Sequence, residues 1–250
     1  MQDIVDRVRE ITRENERLFA QLIAGEHRFR GLAKAVWKVQ EEERRRLARE
    51  LHDGLGQTLT ALTHQLERLQ QKLAESGAAE LAERLADPVE LARLALDESR
   101  ELSRLLRPPV LDDLGLPAAL SWLARTLEQR TGLAVALSLD GLDEGLDPDL
   151  ATLVFRLVQE ALTNVLRHAG VARAEVAVRR AGGALELRVA DAGGGFDAAA
   201  ALADRGPATG SGLRGMRDRL ELFGGRLDIA SSPGQGTVVA ARVPLEETPP

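Results

Sequence analysis

The sequence lacks the features that would mark several common classes of protein. It contains no cysteine, which excludes a disulfide framework or a thiolate zinc site and suits a reducing compartment. No apolar run approaches the roughly 18 residues that a membrane-spanning helix needs, and the N-terminal MQDIVDRVRE lacks the apolar core of a signal peptide. The net charge of −6 leaves no basic excess for nucleic acid. We therefore expect a soluble, cytoplasmic chain that does not bind nucleic acid directly.

Aromatic residues are also scarce, at 3% of the chain, and tyrosine is absent. Leucine, valine and alanine must therefore form most of any hydrophobic core. A length of 250 residues allows one large domain, or two modest domains together with a helical arm.

Residues 4 to 39 repeat apolar side chains with the seven-residue period of a coiled coil. The d position holds Ile4, Ile11, Leu18, Gly25, Leu32 and Val39, and the a position holds Val8, Asn15, Leu22, Phe29 and Val36. A single asparagine at a, here Asn15, favours a parallel two-stranded register at some cost in stability. The pattern predicts that residues 1–45 form a parallel coiled coil between two copies of the chain. A long amphipathic helix packed on a globular body is the alternative interpretation.

A second row of leucines follows His52 at alternating spacings of four and three: Leu55, Leu59, Leu62, Leu66, Leu69 and Leu73. This spacing predicts a helix that packs against other helices. Gly54 and Gly56 lie inside that helix, where each costs about 1 kcal/mol relative to alanine. We therefore expect a local distortion and a functional site beside His52. The alternative is a bundle helix with one solvent-exposed histidine.

The charged run from Glu41 to Arg46 separates these two apolar patterns. Glu43 and Arg46 place charges at seam positions, so the coiled coil should loosen or change phase there. The run also allows several ion pairs along a solvated helix face.

Two helices, at residues 47–74 and 88–106, are predicted to pack as a hairpin. Asp87-Pro88 has the residue types of an N-cap and a first helical position, and Arg107-Pro108-Pro109 ends the second helix. One hairpin buries little apolar surface, whereas two hairpins joined by the parallel coiled coil make a dimeric four-helix bundle. We therefore assign residues 46–108 to such a bundle.

Strands and helices are mixed after Pro109, which predicts an α+β sandwich with one layer of helices over residues 109–245. The predicted elements are a helix at 117–130, a strand at 134–139, a helix at 148–168 capped by Asp147, a hairpin turning at Gly182-Gly183, a helix at 213–223 and two final antiparallel strands. The tail, residues 246–250, should be disordered. The chain as a whole is predicted to be mainly α followed by α+β.

The helix at 148–168 carries a line of polar residues beside its apolar face. Glu160, Asn164 and His168 follow one another at intervals of four, and Arg167 is adjacent. A glutamate and an asparagine one turn apart can hold a hydrated Mg²⁺, which takes few protein oxygens. Arg167 and His168 could then face phosphate. An ordinary solvated helix face is the alternative.

Two glycine-containing segments suit a phosphorylated ligand. Asp191 ends a strand, and glycines occupy the second, third and fourth positions after it. They let the backbone approach a ligand while the carboxylate accepts from an amino group. Gly210-Ser211-Gly212-Leu213 precedes a helix, whose first N–H groups bind phosphate. Thr237 follows a Gly-Gln-Gly turn and can contact the ligand from below. Each segment alone is also compatible with a flexible loop.

The order and spacing of these parts resemble the nucleotide site of the GHKL ATPase superfamily, which includes histidine kinases, type II topoisomerases, a heat-shock chaperone and mismatch-repair ATPases. The segment ERRRLARELHDGLGQTLTAL resembles the phosphoacceptor box of sensor histidine kinases of the type-3 dimerisation subfamily, such as nitrate and membrane-fluidity sensors. LRPPVLDDLGL and GSGLRGMRDRLELFGGRLDIASSPGQGTVV resemble that subfamily's interdomain link and C-terminal stretch. Ala192 departs from the pattern, because many histidine kinases have asparagine there.

The resemblance implies a GHKL (Bergerat) domain that binds ATP and Mg²⁺. The implied nucleotide-binding residues are Asn164, Arg167, His168, Asp191, Gly193, Gly195, Gly210, Gly212, Leu213 and Thr237. Asp191 would bind the adenine amino group, and Asn164 would hold Mg²⁺ with the catalytic Glu160 close by. The γ-phosphoryl group would then pass to a nitrogen of His52.

The resemblance also implies partners and further roles. Asp53 would be the base that orients His52, and Gln57 would place water for dephosphorylation of a partner response regulator, usually one with a helix-turn-helix output domain. The chain would be a homodimer and either a cytoplasmic kinase or the cytoplasmic part of a larger sensor. Residues 1–45 would be the signalling helix and residues 109–245 the catalytic domain.

Two other classes remain open on the sequence. One is a GHKL ATPase that works as a clamp or chaperone and needs no phosphorylated histidine. The other is a noncatalytic dimeric scaffold with a decayed nucleotide site, an interpretation to which Ala192 gives some support.

Overall fold

The computed structural model describes residues 2–142, 145–203 and 211–245. A helical part precedes an α+β domain that contains a five-stranded sheet. The predictions for Gly210 and for the tail at 246–250 fall outside the described residues. Those for the seam residues Ile4, Val8, Ile11 and Asn15 concern side chains that the structure does not describe.

Helix α1 runs without a break from Gln2 to Glu50. Most of its described seam side chains are exposed in the single chain: Leu18, Leu22, Phe29, Leu32, Val36 and Val39. Glu43 and Arg46 are also exposed and form an ion pair, with Oε1 and Nη2 2.6 Å apart. The charged positions therefore do not interrupt the helix, and the seam is free to meet a second helix.

The distortion expected beside His52 is present. Residues Leu51–Gly56 form a π-helical segment, a wider turn that is found at functional sites. Helix α2 continues from Gln57 to Glu75. The next turn uses Gly77 at φ +83°, which glycine adopts without steric cost. A short helix α3, Ala79–Arg84, then leads to α4, Ala86–Leu106.

The predicted start of α4, at residue 88, is wrong: the helix begins two residues earlier. The helix begins at Ala86, so that Asp87 and Pro88 lie inside its first turn instead of at the cap. Pro88 fits there because the first N–H groups of a helix have no partner within it. The charge of Asp87 remains favourable near the helix N-terminus. At the other end Arg107 is extended and ends the helix, as predicted.

The α2–α4 hairpin buries a row of small and apolar side chains: Thr63, Val89, Ala92 and Leu96. A second row is exposed: Leu55, Leu62, Leu69, Leu91, Leu94 and Leu102. One hairpin therefore leaves a leucine stripe uncovered, which is the property expected of half a four-helix bundle.

The C-terminal domain is a sheet covered by helices on one face. Its strands are β1 Ala134–Asp140, β2 Arg173–Ala181, β3 Ala184–Asp191, β4 Arg226–Ser231 and β5 Thr237–Pro244. Their order is β1-β2-β3-β5-β4, with β1 parallel to β2 and the other neighbours antiparallel. The outer face carries charged pairs such as Arg179 with Glu186. The predicted α+β sandwich with one helical layer is confirmed.

The helices of this domain are α5 Pro109–Asp113, α6 Gly115–Thr131, α7 Pro148–Asn164, α8 Ala198–Ala203 and α9 Ser211–Leu222. Asp147 caps α7 as predicted, because its carboxylate accepts from the N–H groups of Asp149 and Leu150. A second π-helical segment, Val165–Ala169, follows α7, and the chain turns away at Gly170.

The core lies between the helical layer and the sheet. The apolar face predicted for the helix at 148–168 is buried throughout: Leu153, Val154, Leu157, Val158, Ala161 and Leu162 in α7, and Val165 directly after it. Leu116 and Leu120 of α6 and Met216 and Leu220 of α9 complete the layer above the strands. This packing fixes the position of α7, and with it the polar line on the same helix.

Two leucines near the start of α6 test this core. Leu116 is 2% exposed and Leu114 is 70% exposed. We expect Leu116→Ala to lower the free energy of unfolding by about 2–5 kcal/mol, because it leaves a cavity in the core. The matched Leu114→Ala should change it by no more than about 0.5 kcal/mol. Urea unfolding followed by circular dichroism measures both, and equal effects would contradict the assigned core.

Candidate nucleotide and phosphoacceptor sites

A cavity of about 510 Å³ opens between the end of α7, the loop after β3, the start of α9 and the start of β5. Its volume lies within the range of small-molecule sites. Most of the predicted nucleotide-site residues that the structure describes line it: Glu160, Asn164, Arg167, His168, Asp191, Gly195, Gly212, Leu213 and Thr237. Gly193 is the described exception. The fold thus gathers residues that are far apart in the sequence.

The polar line of α7 forms one wall of the cavity. Glu160 and Asn164 are half-buried, whereas Arg167 and His168 are exposed at the rim. The last two belong to the second π-helical segment, which widens the helix at its end. The possible oxygen ligands, Glu160 and Asn164, therefore lie deeper in the wall. The hydrogen-bond donors Arg167 and His168 lie where the wall meets solvent.

The loop after β3 packs tightly against the end of the second π-helical segment, which follows α7. Asp191 Oδ1 accepts a hydrogen bond from the N–H of Gly193 at 2.8 Å, and the N–H of Gly194 donates to the carbonyl of Ala169 at 3.1 Å. A Cβ atom on Gly193 would overlap that same carbonyl oxygen. Gly193 therefore shapes the cavity by close backbone approach, although it does not line it.

The start of α9 meets the polar wall at Gly212. A Cβ atom at this position would overlap Oε1 of Glu160. Gly212 and Leu213 therefore bring the first turn of α9, whose N–H groups have no acceptor within the helix itself, against the carboxylate and amide of α7. Such a helix start attracts an anion.

Ser231 is a residue that the sequence analysis missed. Its Oγ accepts from the N–H of Phe196 at 3.0 Å, donates to the carbonyl of Gly236 at 2.9 Å and lies 3.0 Å from Oγ1 of Thr237. It therefore joins the loop after β3 to the start of β5 beneath the cavity. A serine that ends a strand before a glycine turn is the only local signal for this role.

The residues predicted to accept and handle the phosphoryl group lie in the helical part of the chain. His52 and Asp53 are in the first π-helical segment and Gln57 begins α2, and all three side chains are exposed. In the described ranges neither His52 nor Asp53 forms a side-chain hydrogen bond or ion pair. The proposed pairing of Asp53 with His52 therefore stays a prediction.

None of the helices in the described part of the chain is long and apolar enough to cross a membrane.

The cavity and the sheet define the class of the C-terminal domain. Residues 149–247 match the family described as histidine kinase-, DNA gyrase B- and HSP90-like ATPase. Residues 43–111, which include His52, match the family described as histidine kinase. The chain therefore belongs to the histidine kinases and combines a type-3 helical domain with a GHKL ATPase domain.

Known relatives agree with this assignment. The sensor histidine kinase MctS of Rhizobium johnstonii is 38% identical over 224 residues, which cover 89% of this chain and 48% of MctS. The chain thus spans about half the length of that curated relative.

Solved structures with a similar arrangement include two histidine kinases. The histidine kinase domain of the blue-light activated kinase EL346 of Erythrobacter litoralis is 24% identical, with a TM-score of 0.46 over 76% of this chain and 94% of that chain. AdeS of Acinetobacter baumannii is 15% identical, with a TM-score of 0.44 over 75% of this chain and 98% of that chain. The family assignment rests on the sequence matches and not on these scores.

Gly212 provides a test of the cavity. We expect Gly212→Ala to weaken ADP binding by about tenfold or more, which corresponds to about 1.4 kcal/mol, because the added methyl group displaces Glu160. The matched Gly215→Ala lies on the same helix, where a Cβ atom makes ordinary contacts. Isothermal titration measures both variants. Equal affinities would contradict the placement of ADP against the Glu160 carboxylate and the start of α9.

Proposed function

We propose that this chain is the kinase region of a two-component sensor: it phosphorylates itself on His52 with ATP and passes the phosphoryl group to a response regulator. The supporting observation is that one chain holds both an exposed histidine in a histidine kinase helical domain and a polar cavity in a GHKL ATPase domain. A clamp or chaperone ATPase would not need the histidine kinase helical domain. ATP chemistry and the absence of cysteine suit the cytoplasm.

Asp191 suits recognition of the adenine amino group. One carboxylate oxygen already accepts from Gly193, which orients the group and leaves the second oxygen to accept from a ligand donor. Ala192 follows directly and offers no side-chain hydrogen bond where many relatives have asparagine. We therefore expect adenine specificity to depend mainly on Asp191.

The opposite side of the cavity suits the phosphates. Arg167 and His168 at the rim can donate to phosphate oxygens, and the N–H groups at Gly212 and Leu213 point the positive end of α9 into the site. We assign Gly210 to the same phosphate loop, and Gly195 and Thr237 to the side of the cavity below the nucleotide.

Glu160 and Asn164 fit a Mg²⁺ ion that arrives with the nucleotide. Both line the cavity and both carry a hard oxygen ligand. Among the described residues there is no cluster of three or more histidine, aspartate or glutamate side chains that could hold a metal ion by itself. Asn164, with Glu160 beside it, would therefore share the ion with phosphate oxygens and water, as Mg²⁺ commonly does. When bound there, Mg²⁺ would supply charge neutralisation for the transferring phosphate.

The transfer forms a nitrogen–phosphorus bond at His52 as the bond from the γ-phosphorus to the β,γ-bridging oxygen breaks, and ADP leaves. The imidazole must be neutral at the attacking nitrogen. Asp53 is the nearest carboxylate in sequence and would accept a hydrogen bond from the N–H of the other ring nitrogen, which fixes the tautomer and makes the attacking nitrogen a better nucleophile. The widened backbone of the π-helical segment gives adjacent side chains more freedom to approach than a regular helix allows.

The reverse activity, dephosphorylation of the regulator, is assigned to Gln57. It lies one turn beyond Asp53 and is exposed, so its amide can orient a water molecule. The regulator would dock on the exposed surface around His52, and we expect it to carry a helix-turn-helix output domain.

We also propose that the chain works as a parallel homodimer. The exposed seam of α1 and the leucine stripe of the hairpin form two apolar surfaces on the helical part of the chain. Pairing both with a second copy would complete a coiled coil and a four-helix bundle.

The kinase reaction is tested with two variants. We expect the chain to incorporate acid-labile, base-stable label from γ-labelled ATP. His52→Gln should abolish that label while leaving ADP binding unchanged, and Asn164→Ala should remove the label by weakening Mg²⁺-nucleotide binding. Label that survives in His52→Gln would overturn the proposed acceptor. Absence of label together with absence of ADP binding in the unaltered chain would favour the noncatalytic scaffold.

Substitutions at Asp53 and Gln57 should separate autophosphorylation from dephosphorylation of the regulator. Asp53→Asn should slow autophosphorylation by about a hundredfold or more, the size of a general-base contribution. Gln57→Ala should leave that rate unchanged and slow loss of phosphate from the phosphorylated regulator. Both rates can be followed on gels, with Gln65→Ala, an exposed glutamine further along α2, as a control. Slower autophosphorylation in Gln57→Ala would contradict the separate roles.

A further inference from the structure

Three strands place polar side chains next to one another at the end of the cavity that we assign to adenine. Asp191 ends β3, Thr237 begins β5 and Ser231 ends β4, and the strand register sets Thr237 directly opposite both of the others. Side chains of directly opposed residues lie on the same face of a sheet. Asp191 and Thr237 line the cavity, whereas Ser231 lies on the far side of Thr237 and does not. We call these three residues the polar row.

The hydrogen bonds of Ser231 use the whole capacity of its hydroxyl group, which has one hydrogen to donate and two lone pairs. The N–H of Phe196 can only donate, so Ser231 accepts from it at 3.0 Å. The carbonyl of Gly236 can only accept, so the hydroxyl hydrogen of Ser231 is donated to it at 2.9 Å. Because that hydrogen is used, the 3.0 Å contact between Oγ of Ser231 and Oγ1 of Thr237 requires Thr237 to be the donor.

The direction of that hydrogen bond decides what Thr237 offers to a ligand. Its only hydroxyl hydrogen points toward Ser231, which is outside the cavity lining, so Oγ1 presents lone pairs to the cavity. The neighbouring Asp191 carboxylate is also an acceptor, and the N–H of Gly193 fixes its orientation at 2.8 Å. Both cavity-lining members of the polar row therefore act toward a ligand as acceptors.

Two glycines keep this end of the cavity tightly packed. A Cβ atom on Gly236 would overlap the carbonyl oxygen of Asp191, and one on Gly195 would overlap that of Ser232. Both glycines also have positive φ angles, +71° and +59° respectively, which side chains rarely adopt. The turn before Thr237 therefore lies directly against the end of β3, which keeps the polar row together.

We propose that Ser231 is a positioning residue for selection of the nucleobase: by holding the hydroxyl hydrogen of Thr237, it makes Thr237 an acceptor and favours a base that presents an amino group. Adenine presents such a group, whereas hypoxanthine, the base of inosine, has a carbonyl oxygen in its place. A carbonyl oxygen set against the acceptor oxygens of Asp191 and Thr237 would be repelled and would lack a donor. The proposal rests on ATP as the nucleotide of this cavity, as set out under the proposed function.

The ratio of the dissociation constants of inosine diphosphate (IDP) and ADP measures this selection. Isothermal titration of the full chain should show ADP bound more tightly by about a hundredfold. Ser231→Ala removes the acceptor of the Thr237 hydroxyl hydrogen, so the hydroxyl group can turn and donate to a carbonyl oxygen. We expect this variant to lower the preference for ADP about tenfold, because ADP loses an acceptor while IDP gains a donor. Equal affinities for ADP and IDP in the unaltered chain would overturn the proposal.

The same ratio separates base selection from support of the fold. Loss of a purely structural hydrogen bond in Ser231→Ala would weaken ADP and IDP by the same factor, and the unchanged ratio would overturn the proposal. The matched control is Ser232→Ala, which alters the exposed side chain next in the chain and should leave both affinities within about twofold. An equal fall of the ratio in Ser232→Ala would also count against Ser231.

Thr237→Val tests whether Ser231 acts through the threonine hydroxyl group. This variant removes the acceptor and keeps the branched shape of the side chain, so it should also lower the preference for ADP. In the Thr237→Val background, Ser231→Ala should cause no further change of the ratio, since two residues that act through one group are not additive. A further fall of about tenfold would overturn the proposed route. If circular dichroism shows that Ser231→Ala does not fold, an unchanged preference in Thr237→Val would overturn the proposal by itself.

These outcomes are distinguishable from failure of the proposed function. Binding of ADP and IDP does not use His52, so a chain without phosphohistidine would refute the kinase reaction and leave the binding ratio to be measured. A chain that binds neither nucleotide would refute the nucleotide site and base selection together. A chain that prefers ADP to the same degree with and without the Ser231 hydroxyl group would refute the role of Ser231 alone.

Discussion

Burial of one side of α7 is the constraint on which the rest of the structure depends. Its apolar residues, with Phe155 fully buried among them, fix the helix against the sheet. Once that side is fixed, the helical repeat turns Glu160 and Asn164 toward the cavity and Arg156 toward α1. One packed helix thus sets the geometry of the nucleotide wall and of the contact with the arm.

Local features of the chain were predictable because they depend on nearby residues. The cap at Asp147, the hairpin at Gly182-Gly183 and the distortion at Gly54 and Gly56 all follow from short sequence spacings. The start of α4 was misplaced because Asp87-Pro88 is acceptable both at a cap and within a first turn. Residue type alone does not distinguish those two positions.

The contacts of Glu41 and Trp37 were not predictable, since their partners lie far along the chain. Glu41 belongs to a charged run whose ordinary interpretation is a solvated face, and Trp37 lies beside the seam instead of in it. Only the folded structure brings Arg156 and Phe223 to them. The residues that line the cavity were easier to predict, because recognisable glycines mark the strand ends and helix starts around it. Ser231 carries no such glycine signal of its own.

The position of the phosphoryl group tests the account most directly. The chain contains four histidines, and tandem mass spectrometry at neutral to alkaline pH can locate phosphohistidine among them after brief incubation with ATP and Mg²⁺. The account predicts modification at His52. Phosphohistidine at His64 or His168 without modification of His52, or release of ADP with no modified histidine, would contradict it.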